Sequence, residues 1–469
     1  MLDTSAFRRR REALLHRVGA PVLLVGLAER SRNLPMNKLP FRQDSSFLYF
    51  TGCDLPGAAA LLAPTAGPGA RFELFLPEPA EDDPLWHGSV PSLAELGERY
   101  GADAVFPSDA LAERARPLHP RTIAVADDAQ NALAADLSGL DLRYGAANGD
   151  DTLIDAIIAL RRPKDEGEIA ELREAARVTA QAFRAAMRGT RPGSTERGLW
   201  TLFEAVLRLG GCTTGYDTIL TQSGEVLHNH DHSAELAAGR LLLLDGGGEV
   251  ASGYGVDVTR TWPVSGRFEP RQRSAYEAVL AAQLAAIDRC RPGVRYREVH
   301  DAACAVLARF LADEGLVRCS AEEALERHAH ALFFPHGVGH LLGLDVHDLE
   351  NFGDRPSYPA GQGRPEPFGT RYLRLDLPLE AGWVVTVEPG FYVVPAILGD
   401  PALRERFRDV VDFDRAASWV GFGGIRIEDD VLVGPRGPDV LTEQIPKRVA
   451  DLEDLVGTGP TAEALLWDR

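Results

Sequence analysis

Four segments of the sequence set acids and imidazoles beside apolar runs. LLLLDGGGEVASGYGVDVTRTWP, residues 241–263, places Asp245 at the end of a run of four leucines and Asp257 at the start of the next apolar run, after a glycine-rich hairpin. An acid closing an all-leucine strand is costly to desolvate unless something positive meets it. Either aspartate alone reads as a turn or cap residue; two on adjacent strands fit that reading less well. FPHGVGHLLGLDVHD, residues 334–348, carries His336, His340 and His347, three imidazoles within twelve residues. That density favours a site over isolated core histidines, and Gly337 and Gly339 point to backbone that approaches something closely. In TVEPGFY, residues 386–392, Glu388 ends a strand closed by Pro389-Gly390, with Thr386 on its face and Val385 and Val387 on the other. In GIRIEDD, residues 424–430, alternation puts Arg426 and Glu428 on one face and Ile425 and Ile427 on the other. Read alone, that last segment is equally a solvated strand face.

Asp245, Asp257, His340, Glu388 and Glu428 together make four carboxylates and one imidazole. Mostly oxygen donors with one nitrogen suit manganese, cobalt or another hard-to-borderline ion better than a closed structural zinc. Four negative charges converge only with cations among them, and two divalent ions would balance the set. Such a pair, roughly 3.5–4 Å apart, activates a water and polarises a carbonyl.

The elements that must position these residues are legible in the periodicity. Strands are expected at Arg240–Leu244, Glu249–Pro263, Trp383–Val387 and Gly424–Val433. From Ile169 the positions Leu172, Ala176, Thr179, Phe183 and Met187 fall on one helix face. That helix ends at Arg191-Pro192-Gly193, and a second follows with Leu199, Leu202, Phe203, Val206 and Leu207. The punctuation returns 100 residues later, where Arg291-Pro292-Gly293 precedes Val299, Ala303, Val306 and Leu307. At that offset Arg197 meets Arg297, Ala205 meets Ala305, and Val206-Leu207 meets Val306-Leu307. A helix–turn–helix unit used twice predicts a domain of two similar halves. Residues 1 to about 155 instead alternate short strands (Pro21–Leu27, Ala59–Ala63, Phe72–Leu76) with helices such as Ser92–Tyr100, an α/β pattern with no phosphate-binding glycine loop. The polar stretch Ala146–Asp151 marks the boundary, giving domains 1–155 and 156–469.

At 469 residues the chain has room for both domains. Its 50 basic and 69 acidic residues leave a net charge of −19, which argues against nucleic acid or an anionic membrane surface as partner. Cys53, Cys212, Cys290, Cys304 and Cys319 are scattered with no C-x-x-C pair, so a disulfide framework is not expected and a reducing cytoplasm fits. The first seventeen residues lack the apolar stretch of a signal peptide, and no apolar run approaches the ~18 residues of a membrane helix.

With these four segments in this order, the chain resembles the Xaa-Pro peptidases of the pita-bread metallopeptidase superfamily, aminopeptidase P and prolidase. FRQDSSFLYFTG, residues 41–52, is similar to part of that family's N-terminal non-catalytic domain, and residues from about 160 resemble the pita-bread domain, with its pseudo-two-fold halves. The resemblance implies that Asp245, Asp257, His340, Glu388 and Glu428 hold two divalent ions, Mn2+ foremost, with Co2+ or Zn2+ as alternatives. It assigns His228 (in VLHNH), His336 and His347 to substrate and transition-state contacts, and makes Glu388 the proton carrier. The segment FGTRYLRLDLPLEAGWVVTVEPGFYVVPAIL, residues 368–398, is closer to prolidases, so that Arg374 and Arg426 would clamp the free carboxylate of an Xaa-Pro dipeptide. Trp86 (in LWHG) resembles a tryptophan that reaches a neighbouring subunit's site, and a homodimer or homotetramer is implied. The expected substrates are therefore small peptides with proline second. The alternatives are aminopeptidase P acting on longer peptides, and an inactive pita-bread module that binds peptides.

Overall fold

In the computed structural model, which describes residues 3–65, 69–79 and 82–466, the chain forms two compact units. One gathers the described residues up to Arg162 together with Leu349–Pro356; the other holds Pro163–Asp348 and the described residues from Ser357 onward. The first unit is built on strands β1 (Val22–Val25), β2 (Ala59–Pro64), β3 (Ala70–Leu76) and β4 (Ala104–Pro107), in that spatial order. The first three pair antiparallel and β4 joins β3 in parallel. Leu23, Val25, Leu61 and Phe75 pack with Ala134 and Leu137 of the helix Asp128–Ser138. Ser92 is the N-cap rather than the first turn of its helix, because its side chain and Glu95 close a reciprocal capping box. The helix Asp151–Arg161 stays with this unit: Arg161 donates to Ser46 at 3.0 Å and Arg355 pairs with Asp155 at 2.7 Å.

The second unit carries the repeat. The helix pairs are Glu166–Gly189 with Glu196–Leu209, and Pro270–Arg289 with Tyr296–Asp313. Gly193 and Gly293 close the two Arg-Pro-Gly turns at φ 86° and 85°, a left-handed conformation that glycine adopts at little cost. Gly193 donates to the Leu236 carbonyl and Gly293 to that of Leu379. Thr195 then bridges Glu235, as Arg295 bridges Pro378. The two halves thus share a turn, its backbone bonds and the following bridge. Leu172, Ala176, Thr179, Phe183 and Met187 are all buried, as their spacing requires.

The strands of this unit are β5 (Thr213–Thr214), β6 (Ile219–Thr221), β7 (Leu241–Asp245), β8 (Gly248–Glu249), β9 (Thr259–Pro263), β10 (Val384–Val387), β11 (Gly390–Tyr392), β12 (Gly424–Arg426), β13 (Asp429–Gly434) and β14 (Gly437–Val440). They form two three-stranded sheets, β6-β7-β9 and β10-β13-β14, and two ribbons, β5-β8 and β11-β12. Two expected strands are interrupted. Glu249–Pro263 is ordered as a strand only at its ends, because Gly246 donates to Val258 and Gly247 lies so close to the Val256 carbonyl that a Cβ would stand 1.6 Å from it. Gly424–Val433 breaks at Ile427-Glu428. Among the described residues, no helix is long and apolar enough to cross a membrane.

Candidate metal centre and active site

The break at Ile427-Glu428 lies opposite a second one. β10 pairs with β13 through Val387 and Asp429, and β11 pairs with β12 through Gly390 and Arg426. Glu388-Pro389 and Ile427-Glu428 therefore face each other where the ladder is interrupted. Pro389 has no N–H to continue it. The freed amides find partners in other segments: Glu388 donates to the Val338 carbonyl at 2.8 Å and Glu428 to that of Thr259 at 3.0 Å. Those two bonds tie the glutamates to the histidine segment and to the strand after Asp257. The interruption is what gathers the site, since an unbroken strand would spend both amides on its own ladder.

Asp245 and Asp257 meet through the hairpin between them, and Asp245 is paired in register with Thr259. His340 is locked by backbone. Its own N–H donates to Thr386 Oγ1 at 3.1 Å while its carbonyl accepts from Thr386 at 3.0 Å. Its Nδ1 bonds the Leu341 carbonyl at 3.1 Å, which leaves Nε2 facing Asp257 Oδ2 at 3.4 Å and Glu388 Oε1 at 3.9 Å. A ring so fixed by its outer nitrogen is oriented as a ligand. Gly337 and Gly339 do make close approaches, but to protein: Cβ atoms there would stand 2.7 Å from the Tyr372 carbonyl and 2.3 Å from that of Thr386.

The donor atoms of Asp245, Asp257 and Glu428 lie within 4.8 Å of one another, as do those of His340, Glu388 and Glu428. Burial and the neighbouring carboxylates push Glu428 well above the usual carboxylate range; burial lifts Glu388 to about 7, against the pull of His340 and Arg426, and raises Asp245. Burial acts on Asp257 too, but the bonds from His340 and Tyr216 overturn it and hold its carboxyl low. With His340 and Arg426 the nearest counter-charges, four crowded acids cannot all ionise without further positive charge. This donor set fits divalent metal ions, and Asp245, Asp257, His340, Glu388 and Glu428 are the residues that would hold them.

His347 stacks edge-on against His340 at 4.3 Å and is exposed; the charge of His340, then partial desolvation, holds it down to about 3. His228 is exposed and close enough to bear on His347. Of its neighbours, His232 instead stacks on Trp200 and bonds the Leu220 carbonyl. His336 uses both ring nitrogens, Nδ1 on the Gly337 carbonyl and Nε2 on Tyr392 Oη, each at 2.8 Å, and burial holds it neutral, down to about 3. Arg426 is buried and engaged through all three nitrogens: Nε donates to Thr259, one terminal nitrogen to Tyr392 and the other to Asp245. Arg374 bears electrostatically on His336, His340 and His347. Trp86 lies in the first unit, exposed, with its Nε1 on Asp82 at 2.9 Å.

Two residues here carry no sequence signal. Tyr216, 29 positions before Asp245, donates its hydroxyl toward both Asp245 and Asp257. Tyr392, inside TVEPGFY, links His336 to Arg426. The pairing of β11 with β12 brings Tyr392 beside Arg426, and its N–H on the Phe333 carbonyl at 2.8 Å ties it to the segment that carries His336.

Residues 170–435 match the metallopeptidase family M24, and residues 7–122 match the aminopeptidase P N-terminal domain. A probable Xaa-Pro aminopeptidase of Botryotinia fuckeliana is 33% identical over 89% of this chain and 88% of its own. One of Emericella nidulans is 32% identical over 95% and 94%. Among solved structures, the Pseudomonas aeruginosa aminopeptidase PepP superposes with a TM-score of 0.79 at 30% identity over 99% of both chains. E. coli aminopeptidase P with the inhibitor Pro-Leu gives 0.80 at 27% over 97% and 98%. A metal-fitted carboxylate cluster in a twofold-repeated domain, behind an N-terminal α/β domain, agrees with these matches: the chain is a metallo-exopeptidase and belongs to the metallopeptidase family M24, among the Xaa-Pro peptidases.

Proposed function

We propose that this enzyme is an aminopeptidase P, releasing the N-terminal residue from peptides whose second residue is proline. The observation that carries it is the convergence of Asp245, Asp257, His340, Glu388 and Glu428 where the ladder breaks. The relatives reported are named Xaa-Pro aminopeptidases, and the expected lean toward a dipeptidase finds no support among them. Arg426 is also spent on Asp245, Thr259 and Tyr392, which leaves Arg374 as the proposed contact for a free carboxylate.

When bound, the two ions supply Lewis acidity and lower the pKa of the attacking water; the oxygen-rich donor set favours Mn2+, then Co2+ or Zn2+. The protein supplies the rest. Glu388, half-buried and least committed to fixed partners, takes the proton from the water at its carboxylate and passes it to the departing proline nitrogen. His347 and His228, on the open side, face the substrate carbonyl oxygen as charge builds on it. His336 holds its place through Tyr392, whose hydroxyl also steadies Arg426 against Asp245. A cytoplasmic location, supported by five unpaired cysteines, and self-association as a dimer or tetramer through the surface that carries Trp86 belong to the same proposal.

The test compares an Xaa-Pro-Xaa tripeptide, the matching Xaa-Pro dipeptide and the tripeptide with alanine second, before and after chelation and Mn2+ return. The tripeptide with proline should give the highest kcat/KM, and chelation should abolish it. A faster dipeptide would restore the prolidase reading, and full activity without metal would end both.

A further inference from the structure

Behind the catalytic histidine segment lies a second group of metal-ligating side chains. His300 and Cys304 stand one helical turn apart on the helix Tyr296–Asp313, and His330 approaches from the short helical turn Ala329–Leu332. Donor atoms of all three lie within 4.8 Å of one another, and His300 Nε2 is 3.3 Å from Cys304 Sγ. Bonds of about 2.0–2.3 Å at a tetrahedral ion put two such donors roughly 3.5 Å apart. His300 is 2% exposed, Cys304 0% and His330 3%.

A thiol–imidazole hydrogen bond between His300 and Cys304 accounts for one ring nitrogen and no more. His300 Nδ1 and His330 Nδ1 are buried and have no hydrogen bond of full geometry. The carbonyls of Gly369 and Ala324 bear on the two rings, as the outer carbonyl does for a metal-bound histidine. Burial keeps both rings neutral, His300 down to about 3 and His330 to about 4, the form that binds metal. His328 is half-buried, with its ring 5.9 Å from that of His330.

We propose that His300, Cys304 and His330 form a separate site for one thiophilic divalent ion of the zinc class, which staples the Tyr296–Asp313 helix to the turn leading into the catalytic histidines. Binding displaces the Cys304 thiol proton to solvent. The staple reaches the active site through packing: the His300 ring lies 5.5 Å from that of Phe334, which lies 4.8 Å from that of His336. Sulfur and two imidazoles select a softer ion than the oxygen-rich centre does, so the two sites take different metals.

The test is a titration of the chelator-treated full-length protein with Co2+ alone. The catalytic centre has no sulfur, so near-ultraviolet thiolate-to-cobalt absorption reads only a cysteine site, whether or not the carboxylate centre fills. The expected result is a band saturating at one ion per chain, absent in Cys304→Ser. His300→Gln and His330→Gln, which keep the thiol, should each raise the half-saturating cobalt at least ~10-fold, since even outer partners of a metal ligand cost that much. No band in the wild-type protein overturns the site, as does a band that survives Cys304→Ser or is indifferent to both histidine variants.

Discussion

Lys164 and Asp348 form an ion pair at 3.1 Å with each side chain only 1% exposed. Asp348 follows His347 in the chain, and Lys164 precedes the N-cap of the helix Glu166–Gly189, so the pair anchors the histidine segment to the first long helix of its unit. Gly343 is pinched between them: a Cβ there would stand 2.5 Å from Asp348 Oδ2 and 2.7 Å from Lys164 Cε. At an effective dielectric constant near 20, unit charges at this distance attract by about 5 kcal/mol. Desolvation opposes that gain, so the intact pair adds little net stability, whereas breaking it strands a buried charge at a cost of about 3–5 kcal/mol. Lys164→Met should therefore raise the unfolding equilibrium constant of this unit by roughly two to three and a half powers of ten. Asp348→Leu should do much the same, and the double variant should recover most of the loss. Urea unfolding followed by tryptophan fluorescence is the assay, because Trp262, Trp383 and Trp419 are all buried in this unit. The double variant should nonetheless keep a reduced kcat, since it regains stability without the anchor beside His347. A Lys164→Met cost below about 1 kcal/mol, or a double variant less stable than either single one, would refute the reasoning.

Three further outcomes are expected. Asp257→Ala and Glu428→Ala should each lower bound metal below two divalent ions per chain, read by elemental analysis after Mn2+ loading; full occupancy in either would remove it from the ligand set. His347→Ala should cut kcat roughly 10²–10³-fold, the usual toll of a lost transition-state donor, at unchanged metal content, whereas loss of metal would make His347 a ligand. Tyr392→Phe removes the hydroxyl between His336 and Arg426. At about 1.5–3 kcal/mol for a bond to a charged group, kcat/KM should fall roughly ten- to a hundredfold, and an unchanged value would show that His336 is held without it.

The five proposed metal ligands were legible in the sequence because carboxylates beside apolar runs, and histidines among glycines, are residue types whose burial calls for a partner. The repeat was legible as well, since an Arg-Pro-Gly turn must be spelled locally: glycine is needed at φ near 85° in both halves. Strands β1, β2 and β3 of the first unit were legible for a similar reason, each being a short apolar run bounded by turn residues, whereas β4 (Ala104–Pro107) was not read from the sequence. What the sequence did not contain was the break in the ladder. Alternation was read from Ile425 to Glu428 and a strand expected across Gly424–Val433, yet the strand opens at Ile427-Glu428 because Pro389 faces it and because Thr259 and Val338 offer carbonyls to the freed amides. Those partners lie far away in the chain, and no local pattern reports them. The same holds for Tyr216 on the two aspartates, for Arg426 turned inward on Asp245 rather than outward to a substrate, and for Lys164 on Asp348. Side-chain type and spacing determine which groups are able to do chemistry; only the tertiary pairing decides which of them are already spent on one another.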